Sequence, residues 1–223
     1  MLEKIWWGIA DYSEILSMQH NISKKVLAGA KPQILAGEHH SVITLGIRAN
    51  NTEIINSELP VVLSERGGLA TLHSEGQLVI YPILNLKELN LGVRDYVCLL
   101  LTTTKRTLEK FGIKALCDFE KTPGVFTENG KIAFCGIKIS QGISMHGISI
   151  NINNDLSLFE NLVSCGSRSQ KMDRVQNYVQ SEISSRQFFD EWHGIFNTAL
   201  NGRPCRTRTY DPSHVMGMRY QLR

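Results

Sequence analysis

The run GKIAFCGIKISQGISMHGISININNDL, residues 130–156, reads as two consecutive β-strands. Ile148, Ile150 and Ile152 alternate with Ser149, Asn151 and Asn153, which is the two-residue period of a strand with one apolar face. Gln141-Gly142 divides this strand from the one before it. Just upstream, Asn129-Gly130 predicts a two-residue type I′ hairpin turn, because both positions tolerate the positive φ it requires. Lys131 then opens a strand, and the whole segment forms a meander.

Outward from this centre the pattern alternates between helix and strand. Residues 11–30 read as a helix stopped before Lys31-Pro32, since the residue preceding a proline is pushed out of helical geometry. Gln33 to Gly37, Ser41 to Leu45 and Pro60 to Ser64 are short and aliphatic, and Gln77 to Leu84 suits a strand buried on both faces. Val93, Tyr96, Val97, Leu100, Leu101, Thr104, Leu108 and Phe111 recur at helical spacing, predicting an amphipathic helix over 93–111. Phe188, Phe189, Trp192, Phe196, Ala199 and Leu200 mark a final helix. The fold class is therefore α/β (α+β), a mixed sheet flanked by helices. We expect one domain over 1–202, followed by a loosely attached basic tail, 203–223.

Charge and cysteine usage exclude several functional classes. The net charge is +3, but Arg203, Arg206, Arg208, Arg219 and Arg223 against Asp211 concentrate the positive charge in the tail, leaving the body slightly acidic. A basic face for nucleic acid is not expected. Cys98, Cys117, Cys135, Cys165 and Cys205 are odd in number and irregular in spacing, which suits reduced thiols and a cytoplasmic protein. The N-terminus has the wrong flanks for a signal peptide. The longest aliphatic run falls far short of the ~20 residues that span a bilayer, so no membrane association is expected.

Three groups of residues have the right chemistry for a reaction site. Cys165 follows the short segment 155–164 in a loop, where a thiolate can meet substrate, although a lone cysteine also suits a small buried apolar position. Lys131, at the start of a strand, reads by position first as a solvated turn residue and only second as a base. For the latter it must be buried, and Ile132 and Phe134 are available to bury it. Arg66-Gly67-Gly68 with Thr71 and His73 lets backbone approach a ligand closely, but matches no nucleotide-binding fingerprint. His39-His40 point to opposite strand faces and cannot share a metal ion, so no metal is expected. His73 and His146 instead suit the wall of a pocket.

Taken in order, EHHSVITLG (38–46), ERGGLATLHSEGQLVIYPILNL (65–86), VRDYV (93–97), the 130–156 run and SCG (164–166) resemble the lipoyl(octanoyl) transferase family. The resemblance implies a fold like that of biotin protein ligases and lipoate ligases. It puts the family's catalytic pair on Cys165 and Lys131. Its substrate-contacting segments fall on Arg66, Gly67, Gly68, Leu69, Ala70, Thr71, Leu72 and His73, on Phe134, Cys135 and Gly136, and on Gly147, Ile148 and Ser149. It further implies an octanoyl group taken from the phosphopantetheine thioester of acyl carrier protein onto Cys165. From there the group passes to a lysine of lipoyl domains of 2-oxoacid dehydrogenase complexes or of glycine cleavage H protein. No ATP or other cofactor is needed, because thioester to amide runs downhill.

The chain departs from the family pattern at His40 and Ser41, where a proline is usual, at Ser74-Glu75 in place of Gly-Pro, and at Ser164 in place of proline. Glu75 is thereby expected to bring a carboxylate close to the acyl site. Two other readings stay open: an ATP-dependent lipoate-protein ligase, and a weakly active module that binds lipoyl domains or carrier protein.

Overall fold

The computed structural model describes residues 2–50, 53–55, 58–120, 122–163 and 170–202. Cys165 and the tail lie outside the described residues. Among the described residues, ten strands and three α-helices follow in the order β1 (Glu3–Ala10), α1 (Tyr12–Leu27), β2 (Gln33–His39), β3 (Val42–Leu45), β4 (Val61–Leu63), β5 (Ala70–His73), β6 (Gln77–Ile83), α2 (Val93–Lys110), β7 (Leu116–Asp118), β8 (Gly124–Phe126), β9 (Lys131–Ser140), β10 (Ile143–Asn151) and α3 (Ser185–Asn201). The expected helices and the longer strands are all present, while β1, β5, β7 and β8 have no counterpart in the sequence reading.

Seven strands form the main sheet in the order β1-β2-β6-β10-β9-β8-β7, and β4-β3-β5 form a smaller one. In the main sheet only β1 and β2 pair in parallel; the remaining pairs are antiparallel. Alternation along the strands sorts the core into two faces. Ile34, Ala36, Leu78, Ile80, Ile148 and Ile150 pack with residues of α2 and α3, whereas Leu35, Val79, Tyr81, Ile83 and Met145 pack with Ile15, Ile22 and Val26 of α1. A third cluster joins Ile43, Leu45, Ala70 and Leu72 of the small sheet to Phe134 and Phe159.

The two turns flanking β9 exchange the geometry expected from sequence. Positive φ falls on Gln141 (54°) and Gly142 (92°), so the type I′ conformation belongs to the β9–β10 turn, and not to Asn129-Gly130. There the connection spans four residues, closed by Thr127, whose N–H donates to the Gly130 carbonyl at 2.9 Å. The Thr127 hydroxyl accepts from the N–H groups of Asn129 (3.2 Å) and Gly130 (3.3 Å). A threonine side chain supplies the turn bonds that a tighter backbone would otherwise make.

A β-bulge follows directly. Val125 pairs with Ala133 but Phe126 pairs with Lys131, leaving Ile132 as the extra residue of β9. In a regular strand Lys131 and Phe134 would face opposite sides; one extra residue brings them to the same side.

The entry of α3 is fixed by a capping box. Ser184 Oγ accepts from Gln187 N at 3.2 Å, and Gln187 Oε1 accepts from Ser184 N at 3.0 Å. Ser184→Ala is expected to lower stability by about 1 kcal/mol, read as an earlier urea midpoint with unchanged slope.

Candidate active site

Residues of β6, β9 and β10 meet the small sheet and the glycine loop around a cavity of about 220 Å³. The sequence-predicted residues Arg66, Gly67, Gly68, Leu69, Ala70, Thr71 and His73 line it, together with Lys131, Phe134, Cys135, Gly136, Gly147, Ile148 and Ser149. Leu72 points the other way along β5 and is fully buried among Ile43, Phe134 and Phe159, as strand alternation requires.

Lys131 is 1% exposed. Its Nζ donates to the Thr122 carbonyl at 2.9 Å and lies 5.3 Å and 5.1 Å from the ring centroids of Phe126 and Phe134. The bulge at Ile132 makes this possible by turning Lys131 onto the Phe134 side. Gly124 makes room for it: a Cβ there would stand 2.4 Å from Lys131 Cε. A cation between two aromatic faces and a carbonyl is held in place without leaving the cavity wall.

Cys165 lies outside the described residues, but both flanks of its segment are anchored. On one side Leu162 bridges to Ile54, and Val163 N donates to the Glu53 carbonyl at 2.6 Å. On the other, Met172 bridges to Lys131, with Lys131 N donating to Lys171 O (2.8 Å) and Asp173 N to Lys131 O (3.0 Å). The chain leaving 164–169 thus runs alongside Lys131. Glu53 also braces the glycine loop, since its carboxylate accepts from Ala70 N at 2.6 Å.

Among the described residues, Cys135 brings a thiol to the cavity wall. Burial pushes the Cys135 thiol up to about 12, against the opposing influence of the Lys131 charge. It therefore stays protonated at neutral pH and is not a nucleophile. Arg66 is buried and braces the loop. Its Nη2 donates to the carbonyl (2.6 Å) and hydroxyl (2.9 Å) of Thr44, and its Nη1 to Gly67 O at 3.1 Å.

Behind these residues lies a packed set of rings that the sequence reading did not foresee as a unit. Tyr12 stacks on His73 at 5.9 Å, His39 meets both edge-on, and Tyr81 touches His39 and His146. His39 Nδ1 donates to the Ala10 carbonyl at 3.1 Å, so Nε2 accepts from Tyr81 Oη at 3.0 Å. Burial, the largest influence on each, lowers His39 to about 4 and His146 to about 3, and lowers His73 well below the ordinary value. His146 sits within β10 at φ 55°, its N–H bound by Gln19 Oε1 at 2.7 Å. A non-glycine residue in the left-handed region is strained, a condition that clusters at functional sites.

Glu75 does not approach the acyl site as expected from sequence. Its carboxylate turns to the outside and accepts from His40 Nδ1 (2.8 Å) and Ser41 Oγ (3.1 Å). The substituted positions 40, 41 and 75 therefore meet one another, and the exposed imidazole offers the carboxylate a better partner than an apolar cavity does. Gly124, Tyr12, Tyr81, Gln77 and Asn151 were missed altogether. Gln77 did carry a signal, as the polar residue that opens the apolar run 78–84.

Comparisons with known proteins agree with this geometry. The chain is 36% identical over 186 residues to an octanoyltransferase of Persephonella marina, covering 82% of this chain and 91% of that one. Among solved structures, a putative lipoate protein ligase of T. acidophilum superposes with a TM-score of 0.67 at 13% identity, covering 90% of this chain and 86% of that one. Biotin protein ligase of Aquifex aeolicus gives 0.55 at 14%, covering 90% and 70%. These two likenesses show the expected fold, and the family model described as the lipoyl protein ligase A/B catalytic domain matches residues 11–196. The chain belongs to the lipoyl protein ligase A/B catalytic domain family.

Proposed function

We propose that this protein transfers an octanoyl group from octanoyl-acyl carrier protein to a lysine of a lipoyl domain, through a thioester on Cys165. The observation that carries the reading is the buried Lys131 at the cavity wall, with the 171–173 segment leaving the Cys165 loop hydrogen-bonded along it. The octanoyltransferase name of the P. marina relative supports the same chemistry.

In the first half-reaction the Cys165 thiolate attacks the carrier-protein thioester, and the pantetheine thiolate leaves with the proton that Cys165 gave up. Lys131 moves that proton. In the second, the lysine amine attacks the acyl-enzyme, a C–N bond forms, the C–S bond breaks with its electron pair going to sulfur, and Lys131 takes the proton that the amine loses and passes it to that sulfur. The walls contributed by Val79, Phe134, Ile137 and Ile148 suit a thin medium-length chain. Arg66, Gly67, Gly68, Leu69, Ala70, Thr71 and His73 would border the acyl group on one side, with Phe134, Cys135, Gly136, Gly147, Ile148 and Ser149 on the other. Neither ATP nor another cofactor enters, and the protein works in the cytoplasm with lipoyl domains of 2-oxoacid dehydrogenase complexes or glycine cleavage H protein as acceptors.

Intact-protein mass spectrometry after mixing with octanoyl carrier protein, without ATP, tests this. A hydroxylamine-labile octanoyl adduct is expected on the native protein and none on Cys165→Ala. Octanoylation of a lipoyl domain only from free octanoate and ATP, with no adduct, would replace this reading by a ligase.

A further inference from the structure

A directed chain of hydrogen bonds runs from the start of β9 to the cavity, and one main-chain carbonyl fixes its sense. The Asp173 carbonyl can only accept, so Asn151 Nδ2, 2.9 Å away, donates to it. Asn151 Oδ1 is then an acceptor, and it takes hydrogens from Gln77 Nε2 at 2.9 Å and Asn154 Nδ2 at 3.2 Å. Gln77 Oε1 in turn accepts from His73 Nδ1 at 2.7 Å. A neutral imidazole protonated on Nδ1 carries its lone pair on Nε2. His73 lines the cavity, and its Nε2 makes no hydrogen bond among the described residues.

Strand register relates Gln77, which holds this ring, to Lys131. Gln77 pairs with Asn151, and Ile150 pairs with Ala133 beside the bulge. Gln77 therefore stands about 10 Å, two strand spacings, from the start of β9, where Lys131 faces the same cavity. The same Asp173 that orients Asn151 donates its N–H to the Lys131 carbonyl at 3.0 Å.

We propose that Gln77 and Asn151 are positioning residues that hold His73 with its hydrogen on Nδ1, so that Nε2 is a fixed acceptor for an N–H of the attacking lysine amine. The proposal rests on the acyl-transfer reading above. Converting an alkylammonium and a thioester into an amide breaks two N–H bonds: one proton ends on the departing sulfur and the other in solvent. The third hydrogen remains on the amide nitrogen. Nε2 accepts a hydrogen bond from this retained N–H, which turns the nitrogen lone pair toward the carbonyl carbon. It takes no proton, and its surroundings keep it from doing so. Burial first, and then the charge of Arg66 (glycine loop), hold the imidazole neutral; the rings of His39 (β2) and His146 (β10) that face it are neutral as well, and Tyr12 from α1 covers one face.

The test compares Gln77→Met and Gln77→Glu in the full chain, with thioester formation and transfer to a lipoyl-domain lysine timed separately. Gln77→Met removes the acceptor that selects the tautomer, and transfer is expected to slow about tenfold more than thioester formation. Gln77→Glu keeps the acceptor but places a carboxylate beside the ring, raising the His73 pKa. Its transfer rate is expected to gain an ionisation on the acid limb, falling as pH falls because protonated Nε2 cannot accept. Long-range ¹H–¹⁵N spectra should show His73 protonated on Nδ1 in the native protein and in a mixture of tautomers in Gln77→Met. Equal slowing of both half-reactions, or transfer profiles parallel to the native one in both variants, would reduce the network to a structural role and overturn the proposal. Absence of any thioester in the native protein would instead remove the reading beneath it.

Discussion

A Lys131→Met enzyme is expected to fold and to lose acyl transfer by about 10²- to 10⁴-fold, the range a positioned general acid/base contributes. Methionine nearly matches the lysine stem in length, and the side chain is 1% exposed between Phe126, Phe134 and the Thr122 carbonyl. Volume-conserving replacements of this kind usually cost under ~1.5 kcal/mol, and removing a buried charge outright is not itself destabilising. Lys131→Arg should not restore activity, because its planar guanidinium stays cationic and needs space beside Gly124. Gly124→Ala gives an independent check with Lys131 intact. Its methyl group would stand 2.4 Å from Lys131 Cε and 2.5 Å from the Ala133 carbonyl, so the amine must leave its place. Steady-state transfer to a lipoyl domain, with circular dichroism as the fold control, reads all three. Activity of Lys131→Met within tenfold of the native enzyme would remove the acid/base role.

The second large effect concerns acid stability. His39, His73 and His146 are all held neutral in the folded protein, with folded values of about 4 for His39, well below 6.5 for His73 and about 3 for His146. Unfolded, each titrates near the ordinary value of about 6.5. Between these values the unfolded chain binds more protons, so stability is full above ~6.5 and falls as pH falls toward the folded values. At about pH 5 the difference is roughly 2 kcal/mol for each of His39 and His146, and His73 adds to it in the same direction. Three together remove a large part of the ~5–15 kcal/mol that a domain ordinarily has. Urea midpoints at about pH 7.5 and pH 5 check this in a window above the ordinary titration of carboxylates. A midpoint that does not move would show that the three rings are not kept neutral by the fold.

The comparison between sequence and structure is instructive where local pattern and long-range packing disagree. The alternation Ile148, Ile150, Ile152 and the helical spacing of 93–111 were legible because each buries a face whose period is set by backbone geometry alone. The strands β5, β7 and β8 were not, since segments of three or four residues carry too little periodicity to signal themselves. The Gln141-Gly142 and Asn129-Gly130 pair shows the same limit. Both dipeptides tolerate positive φ, yet only the first adopts it, because the Thr127 hydroxyl closes the second turn by other bonds. Glu75, read as a neighbour of the acyl site, turned to His40 and Ser41 instead.

Sequence by itself determined the helices, the central meander, the family and the residue types brought to the site. Those depend on local periodicity and on motif order, which a linear string records in full. Tertiary structure alone decided that Lys131 faces the cavity, because one extra residue in β9 and the missing Cβ of Gly124 act together. It also decided which nitrogen of His73 carries the hydrogen, since that follows from Asp173, Asn151 and Gln77, far apart in the chain and joined only by the fold. Register and hydrogen-bond direction are properties of paired segments, and no single segment contains them.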